Sequence, residues 1–189
     1  MKRIILTHGA IAGAIIIGSM LMTFGLGDRE EFSPPPAWIG YLVMIVALSL
    51  IFVGIKRYRD RELGGVIRFK TAFLLGLGIS LVASVVYVTV WEVYLAVTDS
   101  NFIEVYTRWV IADKQAEGVA GEELEALVAR MEGLKAMYAK PISRMLITFL
   151  EIFPMGLIMT LISALLLRNS RLLPARTPKA APARSVESA

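Results

Sequence analysis

Two carboxylates, Glu92 and Glu151, sit inside long apolar stretches of the sequence and are its clearest candidates for chemistry. A carboxylate in hydrocarbon is costly unless paired, hydrated or protonated, so an intramembrane acid marks a functional site by default. Measured from the apolar boundary nearest each, both fall at similar depth, roughly 8 to 10 Å in at 1.5 Å per residue. They are therefore expected to lie on facing helices, close enough to share a polar network and a single proton. Arg144 lies seven residues before Glu151 on nearly the same helix face, and its stem could reach inward or snorkel outward. Pro154 has no N–H for the Leu150 carbonyl, so a kink and a free carbonyl are expected beside Glu151. With Trp91, which precedes Glu92, these residues make a candidate intramembrane polar cluster. The plainer reading is that both acids bond hydroxyl or guanidinium groups and only fix helix packing.

Little else in the chain could do chemistry. Cysteine is absent and histidine occurs once, at His8, which excludes thiolate chemistry and a histidine-rich metal site. No GxSxG, HExxH or GxxxxGK motif occurs; Gly76-Leu77-Gly78 lies in an apolar span, and Ser80 and Ser84 have no histidine in reach. No catalytic residue, metal or cofactor is expected, and the chain is not expected to be an enzyme. The basic residues Lys56, Arg57, Arg59, Arg61, Arg68 and Lys70 are expected to touch lipid headgroups, attracting anionic ones at about 1 kcal/mol per charge. Nucleic acid is not needed to explain them.

The elements that must position these residues are membrane spans. Of the 189 residues, 56% are hydrophobic and only 19% charged, and the mean hydropathy is +0.64. Such a chain needs lipid as its solvent. Crossing about 30 Å of hydrocarbon takes about 20 helical residues, and four stretches qualify: Ile4 to Gly25, Ala37 to Ile55, Thr71 to Val97 and Met145 to Leu167. Each must be helical, because lipid offers no partner for free backbone groups. The fold expected is an all-α membrane protein with four transmembrane helices and an extracytoplasmic helical hairpin between the third and fourth spans. The four-span domain covers 1–170, and 171–189 reads as a disordered, basic, Pro/Ala-rich cytoplasmic tail.

Loop charge sets the orientation. Lys2 and Arg3, the basic second connection and the tail with Arg168, Arg171, Arg176, Lys179 and Arg184 are cytoplasmic by the positive-inside bias, whereas Asp28-Arg29-Glu30-Glu31 is acidic. Both termini then face the cytoplasm. A cleaved signal peptide is the competing reading of the first span, but its apolar run exceeds the usual core of about 7 to 15 residues.

The hairpin, about 98–144, reads as two helices. One runs from Asn101 to Glu117, with Asn101 and Glu104 at capping spacing, an apolar face of Phe102, Ile103, Tyr106, Trp109 and Val110, and Gly118 as its stop. The other runs from Gly121 to Ala139, striped by Leu124, Leu127, Val128, Met131, Leu134 and Tyr138, and ends before Pro141. The stripes could pack on each other or dock a partner. In the spans, Gly9 and Gly13 form a GxxxG pair, and Ala72, Gly76, Ser80 and Ser84 recur every four residues, a pattern that lets helices approach closely within one chain or between copies.

The runs Phe52 to Asp60, Leu63 to Ile67 with Phe69, Tyr87 to Tyr94, Met137 to Pro141 and Phe149 to Gly156 resemble the bacterial membrane family known as domain of unknown function 4199. The likeness spans the chain from the first span to Arg168. It implies a four-span inner-membrane protein without an established activity, whose Trp-Glu and Leu-Glu-Ile-Phe-Pro motifs correspond to Trp91-Glu92 and Leu150 to Pro154. Two functions follow as expectations: a non-enzymatic accessory protein engaging an envelope protein or a second copy, or a small oligomeric transporter or proton-linked carrier using the glutamates.

Overall fold

The computed structural model describes residues 1–25, 36–98 and 101–174. Among them are six helices: α1 (Lys2–Gly25), α2 (Ala37–Glu62), α3 (Phe69–Thr98), α4 (Phe102–Ala116), α5 (Gly121–Tyr138) and α6 (Pro141–Leu167). The long apolar four, α1, α2, α3 and α6, can cross a membrane by length and composition, and as helices they satisfy most of their backbone groups internally, as lipid requires. The acidic first connection and the tail beyond 174 lie outside the described residues.

Three boundaries differ from those expected. α2 runs seven residues past Ile55, so Lys56, Arg57, Arg59 and Arg61 sit on its last two turns rather than in a loop. Lys and Arg are good helix formers, and cations at a helix C-terminus are favoured by its dipole. The link to α3 shrinks to a turn at Gly64 and Gly65, whose φ of 65° and 95° a side chain would resist. α6 starts at Pro141, four residues before Met145, because proline suits the first helical position as well as it ends the preceding helix. Asn101 does occupy the N-cap of α4, but its side chain makes no capping bond.

α3 is the central helix. Its buried residues run from Ala72 to Leu95 at spacings of three and four, which makes a broad stripe able to meet neighbours on two sides. α1 packs along one side and α6 along the other, while α2 touches all three. Close approach is made by small residues. A Cβ on Gly13 would lie 2.7 Å from Ala83 O, and one on Gly9 2.8 Å from Ile79 O, so the GxxxG face of α1 is used against the backbone of α3. A Cβ on Gly156 would lie 2.9 Å from Ser80 Cβ, and one on Gly76 2.8 Å from Thr160 Cγ2. At that crossing Ser80 and Thr160 hydroxyls share a hydrogen bond of 3.0 Å.

The outward faces of the spans remain apolar, with Leu74, Leu81 and Val85 on α3 and Ile158, Leu161 and Ile162 on α6 exposed. Acyl chains are the natural cover for such faces. α4 packs on α5, and α5 on α6. Thr107, Met131 and Tyr138 are the buried residues of the two short helices, and the remaining stripe residues are half-buried except Val128.

Candidate functional site

The two glutamates have different partners at different depths. Near the α4–α5 side of the bundle, Arg144 holds Glu92 with a two-pronged grip: Nε donates to Oε1 at 2.8 Å and Nη2 to Oε2 at 2.5 Å. Planar guanidinium and carboxylate match in this way, and the geometry gives specificity as well as energy. Both side chains are largely shielded, at 21% and 15% exposure.

The pair sits in an aromatic setting that ties α3, α4, α5 and α6 together. Trp91 Nε1 donates to Tyr138 Oη at 2.6 Å, and the Arg144 guanidinium lies 5.7 Å from the Tyr138 ring centroid. Trp91 stacks on Tyr94 at 5.3 Å and meets Phe102 edge-on at 4.9 Å. Tyr138 closes α5 outside the spans, and burial pushes its phenol up to about 12. A buried indole N–H needs an acceptor, and here the phenol oxygen of Tyr138 supplies it.

Glu151 lies deeper. It is seven residues beyond Arg144 on α6, about 10 Å along the axis. Its partner is Tyr87, one turn of α3 below Trp91; the single O–H of Tyr87 is shared between Glu151 Oε2 at 3.4 Å and Met20 Sδ at 2.7 Å. The expected matched depth and shared network of Glu92 and Glu151 are thus replaced by two separate bonds. The reason is the early start of α6, which puts Arg144 in its first turn, level with Glu92, and carries Glu151 further in.

Glu151 is also exposed, as are Leu150 and Pro154 beside it, which departs from the enclosed place between facing helices that the sequence suggests. α6 continues through Pro154, and the Leu150 carbonyl one turn earlier has no proline N–H to accept from. One patch of α6 therefore carries an exposed carboxylate and a carbonyl without its helical donor, set among the apolar residues Leu146, Leu150 and Ile158.

At the end of the bundle where α1 begins and α6 ends, the basic residues divide. Arg57, Arg61, Arg68 and Lys70 are exposed, and Lys56 pairs with Asp60 at 2.5 Å. Arg59 does not reach headgroups: its side chain has no exposed surface. Nε bonds Asp60 at 2.7 Å, and the rest of the guanidinium donates to the carbonyls of Leu167, Leu172 and Leu173. A buried cation must find acceptors, and the free carbonyls at the C-terminus of α6 supply them with a favourable dipole. Composition alone gave no signal separating Arg59 from its neighbours. Tyr87 and Tyr138 were legible only as apolar residues; the spacing of Tyr87 four before Trp91, on one helix face, was the available hint.

Among the described residues, no three of His, Cys, Asp and Glu come together as metal ligands would. No curated protein and no solved structure matches the chain. The model of one family does match, over residues 7–169, from the first span through the end of α6 and so across both glutamate sites. The chain belongs to the family described as protein of unknown function DUF4199.

Proposed function

We propose that this chain is a non-enzymatic accessory protein of the bacterial inner membrane that binds a partner membrane protein through the Glu151 face of α6. One observation carries the proposal: a carboxylate within a span, exposed on the bundle surface and held by one long hydrogen bond from Tyr87. Against acyl chains such a group is costly. A transmembrane helix from another protein, presenting a basic or amide side chain at that depth, satisfies the carboxylate and the Leu150 carbonyl together, and charge complementarity selects it over a bare apolar helix. A second copy of this chain would bring another carboxylate to the same place. Loop charge supports cytoplasmic termini and an extracytoplasmic α4–α5 hairpin.

A carrier function is the weaker reading. It called on both glutamates, and Glu92 is neutralised by Arg144.

The test is a photo-crosslinking amino acid placed at Leu150 and at Ile158 in native membranes. The expected result is a discrete adduct to another membrane protein whose crosslinked helix bears a basic or amide side chain, lost in Glu151→Leu but not in Glu92→Gln. Adducts only to lipid, or only to a second copy, would refute it. A pH-dependent transport activity abolished by Glu151→Gln in reconstituted protein would favour the carrier instead.

A further inference from the structure

A cavity of about 430 Å³ lies between the start of α1 and the end of α2, within the range of small-molecule sites. Its polar lining is strongly cationic, with Arg3 from α1 and Arg57 and Arg61 from α2 against the single carboxylate of Glu62. None of these three arginines takes part in an ion pair among the described residues. Asp60, the nearest other acid in sequence, is already held by Lys56 and Arg59. Three arginines lining one space without an ion pair are suited to phosphate, since a guanidinium presents a fork that matches phosphate oxygens.

The rest of the lining is mixed: Thr7 and His8 are polar but bond back to carbonyls of α1 itself, and the other side chains are apolar. Ile4, Ile11 and Leu50 continue the wall away from the arginines, and Ile11 lies eight residues beyond Arg3, about 12 Å further along α1. Ile11 is itself 52% exposed, so the apolar end is open to the hydrocarbon side. A free anion has no use for such a wall, whereas an amphiphile fits both parts.

We infer that this cavity is a discrete site for one anionic phospholipid. Its phosphate lies among Arg3, Arg57 and Arg61, and the first part of an acyl chain lies along Ile4, Ile11 and Leu50. This differs from the general attraction of a basic surface for headgroups, because it assigns a stoichiometry and names which cations matter. It is independent of the Glu151 proposal, which concerns the opposite end of the bundle.

Native mass spectrometry of the full chain in neutral detergent, with phosphatidylglycerol or phosphatidylcholine added, tests it. One phosphatidylglycerol should be retained per chain, about tenfold more readily than phosphatidylcholine, as expected when several charges act near one headgroup. The variant with Arg3→Gln, Arg57→Gln and Arg61→Gln should lose that preference, and the variant with Lys2→Gln, Arg68→Gln and Lys70→Gln, which removes the same charge outside the cavity, should keep it. Ile11→Trp should fill the apolar end and lower retention with every charge in place, which guards against a triple variant that folds poorly. Equal loss in the two triple variants, full retention in Ile11→Trp, or displacement of the lipid by millimolar inorganic phosphate would overturn the assignment.

Discussion

Replacing Gly13 by alanine should weaken the bundle, although alanine is the better helix former. The added Cβ would lie 2.7 Å from Ala83 O, about 0.7 Å inside the ordinary contact limit of 3.4 Å, and 2.9 Å from Val86 Cβ. One of these neighbours is backbone and the other is stiff at its branch point, so neither can swing aside. α1 must then move off α3 along the whole Gly9–Gly13 face, and a gap of 0.5 to 1 Å already forfeits a quarter to a half of each dispersion contact it opens. Overpacking of this kind costs about 1 to 3 kcal/mol, against at most about 1 kcal/mol gained in helix propensity. Gly18, on the same helix with nothing within 4 Å of its Cβ position, supplies the control: Gly18→Ala should be neutral or stabilising. Reversible unfolding by sodium dodecyl sulfate in mixed micelles, followed by circular dichroism, should separate the two variants by about 2 kcal/mol. Equal midpoints would mean that α1 and α3 do not meet through this face, and the helix arrangement would have to be redrawn.

Arg59→Gln should cost about 3 kcal/mol, since it leaves the carbonyls at the end of α6 and Asp60 without a buried cation; hydrogen exchange at residues 168–173 should rise with it, and unchanged protection would refute the clasp. A double-mutant cycle with Glu92→Gln and Arg144→Gln should give a coupling of about 1 to 2 kcal/mol, because the pair is two-pronged and mostly shielded; additive effects would reduce it to a surface contact. Burial raises the Tyr138 phenol to about 12 from 10.0, so the folded state holds that proton more tightly than the unfolded state. The resulting stabilisation is complete below pH 10 and fades as the pH climbs towards 12, by about 2 to 3 kcal/mol. Across that range the wild type should lose stability relative to Tyr138→Phe, which has no phenol to titrate, and parallel melting curves would contradict the burial.

The residues at the two ends of the bundle separate what hydropathy determines from what packing decides. Four spans and the breaks on either side of α5 follow from composition and from Gly118 and Pro141, because lipid imposes a minimum apolar length and leaves the backbone no choice but helix. The presence of acids inside two spans was legible for the same reason. Partners were not. Whether Arg144 reaches Glu92 or Glu151 depends on where α6 begins, which Pro141 sets, and on how α6 is rotated against α3, which contacts between residues far apart in the chain such as Gly156 on Ser80 settle. An error of four residues at the start of α6 displaces Arg144 by about 6 Å along the axis, enough to pair it with a different acid. Arg59 makes the same point: in sequence it is one cation in a basic run, and only the approach of the last turn of α6 to the last turn of α2 turns it inward, away from headgroups and onto carbonyls that would otherwise lack donors.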